Sequence, residues 1–389
     1  MSTLQVDRLH DLCEVALADA IDRTALNVLE FGNLFPEKTT VDNRYHLRRW
    51  EGYPDGCNVG WTNAFWTGML WLAYEASGEK TFRQTAEAHI AGYKRRLVER
   101  IYIDHHDMGF LYTPSCVTAW RLTGNAEARE VAIQAAHWLM TRYLPAARIV
   151  QSWGDLNDPA QRGRVIVDSL LNLPLLHWAT IETGNPNYAA AALEHACRAR
   201  DHLIRPDGST YHTFHFDVAT GAPLHGSTAQ GWKDDSCWAR GQAWAIYGFA
   251  LNHRYHGTEG LLDAAMTTAD YFLRHLPNDR VAYWDLSFSD GSDEPRDSSA
   301  SAIAVCGLLE IADQLPQSER RQHYLDAAHR MLESLINNYM PKDESSNALL
   351  LHGVYSKPHG QGIDEASLWG DYYLFEALMR LTRIPRVYW

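Results

Sequence analysis

No run of apolar residues in this chain approaches the roughly 18–20 needed to cross a bilayer, so the sequence offers no membrane span. There is no block of Lys and Arg either. With 35 basic and 48 acidic residues the formal net charge is -13, which argues against nucleic acid as a partner. The same balance means that an anionic substrate must be held by local Arg, Lys or His against an unfavourable overall field. The cysteines (Cys13, Cys57, Cys116, Cys197, Cys237, Cys306) form no CxxC pair and lie mostly in apolar segments. That pattern predicts free thiols in a reducing compartment. The opening stretch, "MSTLQVDRLHDLCEVALADAI", lacks the basic start and unbroken apolar core of a secretory signal and reads as an amphipathic helix. A cytoplasmic protein is the expectation.

Signatures of common cofactor chemistry are missing as well. His105 and His106 are adjacent, and no H-x-x-x-H or HExxH helix pair occurs, so no zinc site is expected. No GxGxxG follows a strand and no P-loop is present; "GQGID" at 360–364 has glycines without the rest of a nucleotide signature. No G-x-S-x-G elbow occurs. The sequence therefore calls for no metal and no cofactor.

Aromatic rings are what the chain has in excess, with 14 Trp and 19 Tyr among 389 residues. Most of them must serve the core, but flat rings also line sugar clefts, where they stack on pyranose C–H faces. A second feature is internal repetition. One block recurs from Asn63, Asp107, Asp168, Asp235 and Asp297, with a shortened copy from Asp364 or Asp371. Each block begins with a polar residue, runs through a helix rich in small and aromatic residues, turns, and resumes as a more polar amphipathic helix. The turns "LTGN", "ETGN" and "YHGT" supply the glycine that ends a helix in the left-handed region. The first helix of each pair is apolar on most faces and the second on one, as inner and outer helices should be. An N-terminal helix at about residues 8–29 would complete the sixth pair. The pattern predicts an all-α chain folded as an (α/α)6 barrel, a six-hairpin toroid, in one domain over residues 1–389, since no Pro- or Gly-rich linker divides it. Short strands are expected near 42–50, 207–226 and 279–290.

In such a ring the starts of all inner helices face one end, and segments 145–167 and 205–234 form the rim of the mouth. An Asp at a helix start is first of all an N-cap, and "DS" at 168–169, 235–236 and 297–298 fits that role. Two positions differ from simple caps. Asp168, in "RVIVDSLLNLPLLHWA", has apolar runs on both sides, which should leave it poorly solvated with a raised pKa. Asp107, in "DHHDMGFLY", stands beside His105 and His106. Two carboxylates at one mouth, one in apolar and one in polar surroundings, suit acid/base sugar chemistry. "WKDDSCWARGQAW" at 232–244 puts Arg240 in a largely apolar helix, where it needs an anion: Asp234 or Asp235 on one reading, a substrate carboxylate on the other. Pro174 is expected to bend or end the helix that Asp168 begins.

Taken together, "WTNAFWTGMLWLAYE", "HHDMGFLY", "VDSLLNLPLL", "DDSCWARGQAW" and "RDSSASAIAVCGLLE" resemble the unsaturated glucuronyl hydrolases of glycoside hydrolase family 88. These motifs come in order and cover most of residues 60–375. The resemblance implies the same barrel and an enzyme that acts on oligosaccharides made by polysaccharide lyases, whose non-reducing end is a Δ4,5-unsaturated uronic acid. Such enzymes hydrate the C4=C5 vinyl ether instead of attacking the anomeric carbon. By the resemblance Asp168 is the general acid/base and Asp107 the second catalytic aspartate. Trp61, Trp153 and Trp244 match the aromatic walls, and His106, His212, Gln230 and Arg240 match polar contacts to the uronate. The stretch "LLHGVYSKPHG" keeps Lys357 of a sulfate-accepting motif but not its paired serines, which points to unsulfated substrates from chondroitin, hyaluronan, gellan or xanthan. A monomer or weak homodimer is expected. The rival readings are an unsaturated rhamnogalacturonyl hydrolase, a sugar epimerase or isomerase using histidine bases, and a non-catalytic carbohydrate-binding toroid.

Overall fold

A computed structural model describes residues 3–258, 260–383 and 389. Its inner helices are α2 (Asn63–Ser77), a broken segment made of α4 (Met108–Tyr112) and α5 (Thr118–Thr123), α7 (Pro174–Thr183), α9 (Ala239–His256), α11 (Ser298–Gln314) and α13 (Leu368–Thr382). Outside them lie α3 (Lys80–Val98), α6 (Ala126–Met140), α8 (Pro186–Leu203), α10 (Leu261–Arg274) and α12 (Glu319–Tyr339), with α1 (Thr3–Phe31) as the outer partner of α13. Each inner helix packs on the next, and α13 packs back on α2, closing an (α/α)6 barrel.

Burial explains the two helix types. α11 is buried on every side from Ser298 to Ala312, whereas α10 buries only Leu261, Ala264, Ala265, Thr268, Ala269 and Phe272. That spacing is one stripe of a 3.6-residue period. Gly124, Gly184 and Gly257 end α5, α7 and α9 in the left-handed region. α1 meets α13 where the His10 ring nitrogen Nδ1 donates to the Leu381 carbonyl, 3.3 Å away. Deep in the ring the Trp389 indole stacks on Tyr373 and donates to Glu376, itself paired with Arg380.

Several sequence expectations are corrected. Asp168 does not begin or cap a long helix. It lies in a separate 3-10 turn, Val167–Leu171, and its side chain makes no capping bond. Pro174 neither bends nor ends a helix; it opens α7, where a missing N–H costs nothing and the fixed φ is already helical. Asp235 is exposed and paired with Lys233, and α9 starts only after Trp238. Asp364 lies on a strand, and Ser367 caps α13 instead. Of the expected strands, only the region 207–226 is realised, as β4 (Thr213–Phe216) and β5 (Pro223–Ser227), which pair with β3 (Arg164–Ile166) in the order β3-β4-β5. Residues 42–50 and 279–290 contribute isolated bridges, with Asp42, Asn43 and Arg280 at positive φ breaking the extended run. Two hairpins were not anticipated: β1 (Tyr143–Leu144) with β2 (Ile149–Val150), and β6 (Gly353–Ser356) with β7 (Gln361–Glu365).

One close approach sets the site. A Cβ on Gly109, at the start of α4, would stand 2.2 Å from the Cα of Asn172, just past the 3-10 turn. The Phe110 N–H donates to Asn172 Oδ1 at 2.7 Å, and the Asn172 amide reaches the Asp168 carbonyl. Backbone therefore meets backbone between the segments that carry Asp107 and Asp168. Gly109→Ala is expected to destabilise the fold by about 3 kcal/mol, since neither main chain can give way. Urea unfolding measures the loss, and an unchanged midpoint would refute the contact.

Candidate active site

Asp168 stands at the floor of a cavity of about 740 Å³ whose lining includes Trp61, Asp107, Trp153, His212, Gln230 and Tyr355. Its turn is fixed from behind. Ser169 Oγ donates to the Ile166 carbonyl at 2.6 Å and receives the His195 Nε2 proton at 2.7 Å, while His195 Nδ1 accepts the Val150 N–H. Across the Asn172 contact, the Asp107 N–H donates to His105 Nδ1, and His105 Nε2 donates to the Tyr102 carbonyl. His106 Nε2 lies 3.2 Å from Asp107 Oδ1 and 3.6 Å from Asp168 Oδ1.

The two carboxyl groups titrate in opposite directions. Burial lifts Asp168 well above the usual carboxylate range; the Asp107 charge adds to the rise, and Arg240 only partly offsets it. Burial also acts on Asp107, but His106, His105 and the Asn172 amide outweigh it and hold that group below its ordinary value. Between these two displaced titrations the pair carries one proton, on Asp168, and one charge, on Asp107. Asp168 Oδ1 has no hydrogen-bond partner among the described residues, although its side chain is only 14 % exposed. That oxygen is itself shielded, 3.6 Å from His106, so the exposed part of the carboxyl is what the cavity meets, and a protonated carboxyl in a cavity wall is suited to pass its proton to a bound ligand.

His106, buried behind the two carboxyls, and His212, in the cavity lining, are both pushed down by burial, His106 to about 4 and His212 to about 3. His212 Nδ1 accepts the Ala229 N–H at 3.3 Å, which leaves the proton on Nε2, an atom with no partner among the described residues. One atom each from His106, Asp107 and Asp168 falls within 4.8 Å of the others, the spacing of a cation site. Ligation would require both carboxyls ionised, and Asp168 is the group that burial keeps protonated.

The aromatic walls divide. Trp61 is half-buried, stacked on Trp369 at 5.3 Å, and Trp153 is stacked on His105 at 5.3 Å; both present a face to the cavity. Trp244 does not. It is 1 % exposed and packed against Phe110 and Tyr373 behind the floor. Arg240 is also inside the protein, 1 % exposed, and its partner is neither Asp234 nor Asp235. It pairs with Asp297 at 2.8 Å, donates to the Val354 and Tyr355 carbonyls, and holds Gln230 Oε1 at 3.0 Å. Asp297 is thus both the cap of α11, accepting from Ala300, and the counter-ion of Arg240. Lys357 is turned away from the cavity lining and paired with Glu294 at 3.1 Å. Sequence reasoning overlooked the β6–β7 hairpin, which brings Tyr355, Ser356, His359 and Gln361 to the mouth; it expected strands near 207–226 but not β3, nor that the β3–β5 sheet brings Arg164, Thr213, His215 and Ser227 to the cavity. Alternation within "RVI" and "TFHF" was the available signal, and each run is too short to read unaided.

Residues 33–381 match the profile of Glycosyl Hydrolase Family 88. The chain is 46% identical to an unsaturated chondroitin disaccharide hydrolase of Streptococcus pyogenes serotype M1 over 376 residues, 96% of this chain and 92% of that one. It superposes on the crystal structure of an unsaturated glucuronyl hydrolase from Streptococcus agalactiae with a TM-score of 0.93 at 42% identity, covering 98% of this chain and 94% of the other. A mutant of the S. agalactiae enzyme, solved in complex with dGlcA-GalNAc6S, superposes with a TM-score of 0.85 at 41% identity, over 97% and 93% of the two chains.

Proposed function

This chain belongs to glycosyl hydrolase family 88, and on that premise we propose that Asp168 is its general acid and base, raised by burial, with Asp107 the charged partner that adds to the rise. The enzyme releases the Δ4,5-unsaturated uronic acid from the non-reducing end of lyase-generated oligosaccharides, glycosaminoglycan disaccharides among them. The Asp168 proton goes to C4 as the C4=C5 π bond opens. Water adds at C5 and gives its proton to the Asp168 carboxylate, which restores the starting state. The hemiketal at C5 then opens, releasing the leaving sugar and a 4-deoxy-5-keto-uronate. Opposite titration of two carboxyls in one cavity is the observation that carries this reading.

Trp61 and Trp153 stack on the sugars, and His106, His212 and Gln230 hydrogen-bond the uronate. Burial brings His106 down to about 4 and His212 to about 3, which leaves both imidazoles weakly basic and disfavours an epimerase that would use them to take a proton from carbon. Arg240 and Trp244 act one layer back: Arg240 aims Gln230 and the Val354–Tyr355 backbone, and Trp244 supports Phe110 beneath Trp61. Lys357, neutralised by Glu294, favours an unsulfated leaving sugar on its side of the mouth. The protein works as one catalytic domain, monomeric or weakly dimeric, in the cytoplasm. Free cysteines and the absence, among the described residues, of a helix able to cross a membrane support that location. Incubation with a lyase-made unsaturated chondroitin disaccharide is expected to abolish the ultraviolet absorbance of the conjugated alkene. Absorbance that persists across glucuronyl and rhamnogalacturonyl unsaturated disaccharides would overturn the assignment.

A further inference from the structure

The three-stranded sheet that walls the cavity has one face turned inward. Arg164 of β3 stands opposite His215 of β4, and Ile166 stands opposite Thr213, which in turn faces Ser227 of β5. All five line the cavity, while the intervening Val165 and Phe214 turn into the core. The inner rung, nearer Asp168, is therefore Ile166, Thr213 and Ser227. The outer rung is Arg164 and His215, continued across the sheet by His225, whose ring stacks on His215 at 4.6 Å.

This outer rung is unusual in its charge. Arg240 is neutralised by Asp297, and Lys357 by Glu294. Arg164 is half-buried in the cavity lining, yet among the described residues its guanidinium is paired with no carboxylate. Its cross-strand neighbours are two imidazoles, so nothing on the rung supplies a negative charge. In a protein of net charge -13, the sheet register sets this half-buried cation opposite an imidazole and not a carboxylate.

Distance decides which part of a substrate it meets. Three residues separate Arg164 from Asp168, two of them in β3 and the third opening the 3-10 turn, which puts Arg164 on the order of 10 Å from Asp168 along the wall. That is about two pyranose widths from the reacting carbons. The uronate that loses its double bond lies at Asp168, so the outer rung faces the sugars that leave.

We propose that Arg164, with His215 beside it, forms an anion-binding subsite for the leaving portion of the substrate, taking either a sulfate ester on the leaving sugar or the carboxylate of the uronate beyond it. The proposal rests on the family reaction assigned above and deepens it by naming a specificity determinant. Guanidinium hydrogen bonds to an oxyanion are charge-assisted and directional, and half-burial protects them from full screening.

Three unsaturated substrates test it: a disaccharide with a neutral leaving N-acetylhexosamine, the same disaccharide sulfated on that sugar, and an unsulfated tetrasaccharide. In Arg164→Gln the ratio of kcat/KM for a charged substrate to that for the neutral one should fall by about tenfold, the value of one charge-assisted contact. Arg164→Lys should keep most of the ratio, and Arg162→Gln, on the exposed loop before β3, should keep all of it. A fall with the sulfated disaccharide alone identifies sulfate as the ligand; a fall with the tetrasaccharide alone identifies the carboxylate. In the wild type, added salt should raise KM for the charged substrate more than for the neutral one. An unchanged ratio in Arg164→Gln, or a salt response equal for all three substrates, overturns the subsite while leaving the reaction standing. Failure of the wild type to consume any of the three would instead remove the reaction itself.

Discussion

Asp168→Asn is expected to fold normally and to lose about a thousandfold or more of kcat with an unsaturated chondroitin disaccharide, because one side chain delivers the proton to C4 and collects it from water. The amide keeps the shape but can do neither. Stability supplies a second readout with a definite sign. The Asp168 carboxyl is raised in the folded protein above its unfolded value, so the folded state binds the extra proton between those two points. Wild-type stability is therefore complete below the unfolded pKa and is lost as pH rises through the folded one. The amide has no proton to lose. Melting temperatures of variant and wild type should be close in acid and separate in the variant's favour as pH rises. A variant that retains activity within tenfold, or one whose melting temperature tracks the wild type at every pH, would sink the assignment.

Asp107→Asn should cost roughly a hundredfold in kcat/KM, the scale of losing one preorganised polar contact at a reacting centre, and should also move the pH profile. Burial is the larger cause of the high Asp168 value, and it remains in the variant. The Asp107 charge is the next, and it disappears. The Asp168 carboxyl then ionises at lower pH, so the basic limb of the kcat profile shifts toward acid while the acidic limb is little changed. A simple sugar-hydroxyl contact would lower kcat/KM without moving either limb. The profile therefore separates electrostatic control of Asp168 from binding alone.

The ring itself was legible in the sequence because its signals are local: apolar inner helices, one-sided outer helices and the glycines at 124, 184 and 257. Asp168 was legible for the same reason, since its apolar flanks adjoin it in the chain. What could not be read were partners brought together by closure. Asp297 lies 57 residues from Arg240, and the carbonyls that complete its shell lie on a hairpin beyond position 350. With those partners unknown, the sequence offers Arg240 only Asp234, Asp235 or a substrate carboxylate, none of which is its partner, and Trp244 reads as a wall when it is packing beneath one. Among the described residues, the cation of the cavity lining without a carboxylate partner is Arg164, on a three-residue strand that shows too little alternation to declare its face.

Joining α1 to α13 has a bearing on how the protein is made. The His10–Leu381 bond spans 371 residues, and α13 must also pack back on α2, so the contacts that complete the ring are among the least local the chain can form. At about 5–20 residues per second, translation needs roughly 20–80 seconds before both ends exist. Until then α2 presents an apolar face with no neighbour on the side that α13 covers. The completed barrel is thus a late event in synthesis, and that uncovered face is an aggregation hazard on the growing chain until its last inner helix arrives.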